Sequence, residues 1–199
     1  MDSRKENTTT VFVDLQQAHD RVWRKGLLLK LQNMGVKGHM YSWIKSFLTD
    51  RLIQTQINNT LSSKEVLEEG LPQGSSLSCT LFLVFLNDLS DILKCEIAFF
   101  ADDLVLWHTG TSTIISRRRI QEDLNSLGVY CKLWKMKVNC TKTVYSVFTR
   151  SYKLANVTLS LKIDNVPLEK ESNPLYLGVQ LDSKLNLKAH VENLKKESN

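Results

Sequence analysis

The sequence holds few cysteines, and none lie close together: Cys79, Cys95, Cys131 and Cys140 are 16, 36 and 9 residues apart. That spacing excludes the CxxC pairs of zinc knuckles and thiol redox sites, so reduced, buried thiols are expected. His108 and His190 stand alone, without a metal-type partner four residues away, and neither reads as a ligand. The longest apolar run, Leu77 to Leu86, falls well short of the ~20 residues a bilayer-spanning helix needs. No apolar signal segment opens the chain, so an intracellular protein of the nucleus or cytoplasm, with no membrane partner, is expected. There is no internal repeat, low-complexity tract or long linker, which excludes solenoid and filamentous architectures.

What is present is an ordinary globular composition. The 199 residues, 42% hydrophobic and 24% charged, suffice for one good-sized core or a core with a partial second lobe. A net charge of +5 is compatible with a polyanionic partner without requiring one. VFVDL reads as a strand ending at Asp14. Leu27, Leu31 and Met34, then Met40, Trp43, Ile44 and Phe47, fall at helical spacing and predict two helices. RLIQTQIN and the stretch up to Gly70 predict a strand hairpin. GLPQGSS supplies Pro72, Gly74 and two serines that can cap a helix from about Leu77 to about Leu93.

AFF and LVLW read as two strands joined at a tight turn. Ile120, Leu124, Leu127, Cys131 and Trp134 hold one stripe of a long helix, with Gly128 a weak point in it. TVYSVFT predicts a further strand. The order strand, helices, strand hairpin, helix, strand is a βαββαβ unit of the α+β class, with helices on one face of an antiparallel sheet. From about Arg150 the pattern changes to short strands, VTLSLKID and NPLYLGVQLD, and a polar helix from about Leu187.

Within AFFADDLVLW, Asp102 and Asp103 interrupt two apolar runs. Burying both unpaired is costly, so either the chain turns outward there or cations sit against them. Consecutive strand residues face opposite sides, and the pair can serve one site only at a turn. Asp14 joins them if its strand neighbours the hairpin. Three carboxylates so placed repel unless cations lie among them, the arrangement that holds two Mg²⁺ ions about 4 Å apart for in-line nucleotidyl transfer. A solvated hairpin tip is the other reading of the same residues.

VFVDLQQAHD, GLPQGSSLSCTLF, FADD, the N-x-x-K-T of Asn139 to Thr143, and YLGVQLD at 176 to 182 together resemble the motifs of reverse transcriptases from non-LTR (LINE-like) retrotransposons. W-I-x-S-F-L-x-x-R at 43 to 51 and F-x-N-D-L at 85 to 89 are similar too, and the resemblance covers about residues 8 to 195. It implies a polymerase palm with RNA-directed DNA polymerase activity, two Mg²⁺ ions as cofactors with Mn²⁺ as a substitute, and an RNA template, a DNA primer and deoxynucleoside triphosphates as partners.

Carried over by position, the resemblance makes Asp14, Asp102 and Asp103 the catalytic metal ligands. It makes Lys142 the lysine that protonates or neutralises pyrophosphate. Leu15 would offer backbone groups near the incoming nucleotide, and Gln73 and Gly74 would lie against the template and nascent base pair. YLGVQLD would grip the primer terminus. Without the resemblance, Leu15 is core, Gln73 and Gly74 form a loop leading into a helix, and Lys142 is a solvated surface residue.

The sequence also departs from the family. His19 stands where Phe or Tyr usually packs under the sugar to exclude a 2′-hydroxyl; imidazole is flat, smaller and polar, which bears on sugar selectivity. Cys79 replaces a usual proline, and Asn186 with Leu187 replaces a usual Thr-Trp pair. The resemblance implies a palm over residues 1–150, with a helical and hairpin insertion at 25–70, then a primer-grip-like hairpin and the start of a thumb over 151–199.

Fingers, most of the thumb, an endonuclease and a terminal zinc motif are expected to be missing. Polymerisation by the isolated chain is therefore expected to be weak or absent, because positioning is lost. The rival is a non-catalytic fragment that binds nucleic acid through its basic surface. An RNA-dependent RNA polymerase or telomerase-like palm enzyme is disfavoured by PQGSSLS and the motif spacing. Arg117, Arg118 and Arg119 are expected to fan out by about 100° each as a solvated stretch rather than a phosphate clamp, and Asp88 to be a structural polar residue.

Overall fold

The computed structural model describes residues 6–197. In chain order the elements are β1 (Asn7–Asp14), α1 (Arg24–Asn33), α2 (Gly38–Leu48), β2 (Arg51–Ile53), β3 (Gln56–Ile57), β4 (Thr60–Leu61), β5 (Glu65–Leu67), α3 (Ser76–Leu86), β6 (Glu96–Phe100), β7 (Asp103–Gly110) and α4 (Thr113–Leu133). There follow β8 (Val144–Thr149), α5 (Tyr152–Ala155), β9 (Lys162–Ile163), β10 (Val166–Pro167), β11 (Glu169–Lys170), β12 (Leu175–Tyr176), β13 (Val179–Gln180) and α6 (Lys188–Glu197). The fold is α+β. Its contacts divide the chain into two units: one takes the chain up to Leu15, Leu89–Tyr130 and everything from Val138, and the other takes Gln16–Asp88 with Cys131–Lys137. Among the described residues no helix is long and apolar enough to cross a membrane.

The first unit is built on a five-stranded sheet in the order β11-β8-β1-β7-β6. β1 lies in the middle, antiparallel to both β7 and β8, while the two-residue β11 runs parallel to β8 at the edge. The β-branched run from Thr8 to Val13 suits a strand covered on both faces. Thr9, Val11 and Val13 are buried on one side and Thr10 on the other. In α4 the stripe Ile120, Leu124 and Leu127 is fully buried, as its spacing predicts, but the helix ends at Leu133, before Trp134. Gly128 has a steric reason: a Cβ there would come within 3.3 Å of the Asp164 carboxylate.

The expected strand VTLSLKID is the largest departure in this unit, since only Lys162–Ile163 forms a ladder. Leu159, Leu161 and Ile163 still alternate inward. Their backbone is served instead by side chains: the Leu159 N–H donates to the Tyr145 hydroxyl and the Lys162 N–H to Gln121 Oε1. Period-two burial therefore extends back to Leu159, beyond the two residues that are paired with β10.

In the second unit, α1 buries Leu27, Leu28 and Leu31, while Met34 lies beyond its end. α2 buries only Ile44 and Leu48, and Met40 and Trp43 of the expected stripe face outward. The hairpin is present as two short ladders, β2 with β5 and β3 with β4. It reverses at Asn58-Asn59, both left-handed, a pairing suited to a two-residue turn. α3 stops at Leu86 and gives way to a single 3₁₀ turn over Asn87–Leu89.

Neither serine of GLPQGSS caps α3 with its side chain; the Ser78 hydroxyl instead donates to the Pro72 carbonyl at 2.6 Å. The cysteines correct another expectation. None of the four is in a disulfide, but only Cys131 is buried, Cys79 is exposed, and Cys95 and Cys140 lie between.

Candidate active site

The register between β1 and β7 ends on the pair Asp14↔Asp103. Directly opposed residues of antiparallel strands share a face, so these carboxylates, 89 positions apart in sequence, project from one side of the sheet. On the other edge of β7, Phe100 pairs with Asp103, which leaves Ala101 and Asp102 as a two-residue turn. Ala101 adopts φ 52°, a left-handed conformation that costs a non-glycine residue about 1 kcal/mol. The turn takes Asp102 out of the strand's strict alternation, the condition that the adjacent pair needed.

Asp14 is fixed from a distance. Its N–H donates to the Thr143 hydroxyl at 3.2 Å, and its carbonyl accepts from the Asn139 N–H at 2.8 Å. Thr143 is fully buried. Both ends of the N-x-x-K-T stretch thus tie the end of β1, and they carry Lys142 beside it. Leu15 bridges Val138 through its backbone and is buried as a side chain.

A cavity of about 270 Å³ opens here, lined by Phe12, Asp14, Asp103, Lys142, Glu171 and Tyr176 among others. Among the described residues Lys142 is its only lining cation. The Tyr176 ring packs against Phe12 with centroids 5.6 Å apart. Burial first, then the Asp103 charge, pushes the Tyr176 phenol above its ordinary pKa. Asp103 is itself raised, by burial first and then by Asp102 and Asp14.

None of the three carboxylates has an ion pair among the described residues. No group of three His, Cys, Asp or Glu side chains among them is disposed to hold a metal ion. A paired Asp14 and Asp103 still fit Mg²⁺, which is commonly held by one or two carboxylates with waters and substrate phosphates completing the shell. The cavity lining offers hard oxygen donors and, among the described residues, no thiol or imidazole, which matches that ion.

His19, Gln73 and Gly74 belong to the second unit. The His19 ring stacks on buried Phe82 at 4.3 Å between centroids, and its carbonyl accepts from the Leu71 N–H. Gln73 Nε2 donates to Asp20 Oδ1 at 2.8 Å. Gly74 has φ 80°, and a Cβ added to it would meet nothing within 4 Å, so backbone conformation accounts for the glycine here. Glu171 gave no sequence signal, because it reaches the cavity through β11's non-local pairing with β8. Thr143 was legible only as part of a motif, and its contact with Asp14 was not.

The family described as reverse transcriptase (RNA-dependent DNA polymerase) matches residues 1–181. The chain is 36% identical over 196 residues to the probable RNA-directed DNA polymerase from transposon BS of Drosophila melanogaster, covering 94% of this chain and 21% of that protein. It is 30% identical over 202 residues to the RNA-directed DNA polymerase from mobile element jockey of the same organism, covering 96% and 21%. The chain thus spans about a fifth of the length of these curated relatives.

Among solved structures, apo telomerase from Candida tropicalis, truncated from its C-terminal domain, superposes with a TM-score of 0.60 at 13% identity, covering 92% of this chain and 35% of that one. That likeness is one of fold. The chain belongs to the reverse transcriptase (RNA-dependent DNA polymerase) family, as its motif resemblance to the non-LTR retrotransposon members implies.

Proposed function

We propose that this chain is the palm-centred part of a non-LTR retrotransposon reverse transcriptase, and that Asp14, Asp102 and Asp103 are its catalytic metal ligands. The observation that carries this reading is the Asp14↔Asp103 register beside the left-handed turn at Ala101. Unpaired acids held on one face, with repulsion between them, are a poor arrangement for stability and a good one for cations. Bound Mg²⁺, or Mn²⁺ in its place, would activate a primer 3′-hydroxyl and neutralise the charge of a triphosphate.

The protein's own part is to hold and orient. Asp14 is anchored by Thr143 and Asn139, Asp103 by its pairing on both sides, and Asp102 by the turn. Lys142 supplies positive charge for the departing pyrophosphate. Residues 1–150 serve as the palm, with an insertion at 25–70, and 151–199 as a primer-grip hairpin with the start of a thumb. Gln73 and Gly74 take the template side, Leu15 the nucleotide through its backbone, and His19 the sugar. Template, primer and nucleotide are RNA, DNA and deoxynucleoside triphosphate.

With Lys142 the only cation lining the cavity among the described residues, little in the isolated chain holds a triphosphate, and weak synthesis is the expected behaviour. The test is Mg²⁺-dependent primer extension on an RNA template, comparing the chain with Asp14→Asn and Asp103→Asn. Weak extension abolished by either change supports the reading; synthesis that persists unchanged in both variants sinks it. The second reading, a non-catalytic nucleic-acid-binding fragment, is favoured by the lack of a three-ligand group among the described residues. It requires binding that survives loss of all three carboxylates together with no extension at all.

A further inference from the structure

The three consecutive arginines are solvent-exposed, as expected, but they do not share the same surroundings. Arg117 turns toward the Ser160 carbonyl, whereas Arg118 and Arg119 line one cavity of about 430 Å³ together with Lys94, Ile115 and Glu122. The cavity lies where β6 begins and β7 ends. Glu96 pairs with Trp107 there, four to five strand residues from the Asp102 turn, or roughly 15 Å along the strands.

Its position is built by a buried carboxylate. Asp123, 1% exposed, accepts from the Lys94 N–H at 3.1 Å and from the Cys95 N–H at 2.7 Å. That holds the Lys94 backbone against α4. Burial and the neighbouring Asp123 push the Cys95 thiol up to about 12, so no thiolate offsets the positive charge. Among the described residues Glu122 is the only carboxylate lining the cavity, and it is already engaged, at 3.1 Å with Arg118 and 4.0 Å with Lys94. Arg119 has no ion pair among the described residues. Among the lining residues three are cations and one is a carboxylate.

We infer that Lys94, Arg118 and Arg119 form a second nucleic-acid site, which grips backbone phosphates of a strand segment away from the reacting end. Two cations from successive helix positions and one from a pinned loop suit adjacent phosphates, with Ile115 as an apolar wall for a sugar or base. Phosphate contacts of this kind position a strand without reading its sequence. The choice of nucleic acid over other polyanions rests on the polymerase reading.

The experiment measures binding of the 199-residue chain to a labelled single-stranded RNA across about 50 to 200 mM salt. The chain is compared with Lys94→Gln/Arg118→Gln/Arg119→Gln, with a control that removes three exposed lysines elsewhere (Lys37→Gln/Lys45→Gln/Lys64→Gln), and with Glu122→Gln. Expected is a roughly tenfold loss of affinity and a salt slope smaller by about 2 in the first variant. The control should change little, and Glu122→Gln should bind more tightly, a gain that misfolding does not produce. Equal loss in the control, or wild-type binding by the site variant, overturns the inference. So does dependence on the same three residues for anionic phospholipid vesicles but not for RNA. Repeating the titration with Asp103→Asn reads binding without chemistry, so failure here and failure of primer extension are separate results.

Discussion

Arg24 and Asp103 carry opposite charges in different units, and the fold treats them in opposite ways. In the second unit Arg24 is buried, and its guanidinium donates from all three nitrogens, to the carbonyls of Gly70, Leu67 and Glu69. Lys30 is likewise buried, donating to the Phe85 carbonyl and Asp88 and lying over the Trp134 ring. In the first unit Asp14 and Asp103 face each other across the strand register, beside Asp102 at the turn, and none of the three has an ion pair among the described residues. Charges that hold a fold together are given partners by the protein, whereas like charges set side by side without partners mark a candidate functional site.

The largest expected effect tests the unpaired side. Asp14→Asn or Asp103→Asn is expected to lower primer extension by on the order of 10³-fold, as loss of a charge-stabilising group does elsewhere, while thermal unfolding stays cooperative. Next comes the paired side. Arg24→Met leaves three carbonyls without their donor and should cost about 3 kcal/mol, a fall in Tm of roughly 6 to 12 °C. A loss below about 0.5 kcal/mol would erase the contrast between the units.

A pH titration sharpens it. Because its folded pKa is raised, Asp103 binds a proton more tightly in the folded chain than in the unfolded one. Its contribution is most favourable below the ordinary carboxylate value and is lost as pH rises through the raised value. Metal-free Tm should therefore fall over that interval. Mg²⁺ should restore it, and Asp103→Asn should remove both responses. The smallest effect concerns the turn: Ala101→Gly should relieve up to about 1 kcal/mol of backbone strain, seen as a higher denaturant midpoint.

Much of the site was legible because local pattern carried it. The Asp pair between apolar runs marked a turn, and a β-branched strand ending in Asp14 marked the partner. What local pattern did not carry was pairing across long separations. The bonds from Thr143 and Asn139 to Asp14, and the entry of Glu171 into the cavity, depend on β8 and β11 meeting the sheet. The same limit explains the cavity that Arg118 and Arg119 share with Lys94, whose backbone is held against α4 by Asp123. Periodicity found both α4 and α2, but Met40 and Trp43 of α2 are apolar and exposed. Apolar spacing specifies a face and leaves open whether anything covers it. The expected strand at VTLSLKID kept its inward leucines and lost its ladder to the side chains of Tyr145 and Gln121.

The bond between Asp14 and Thr143 spans 129 residues of chain, which has a consequence for biosynthesis. At translation speeds of about 5 to 20 residues per second, a ribosome needs roughly 6 to 26 s to travel from one to the other. Throughout that interval the first acid waits at the end of a strand with at least one of its two neighbouring strands still to come. A nascent polypeptide halted before the threonine emerges would lack an organised reaction centre, however well its helices had already formed.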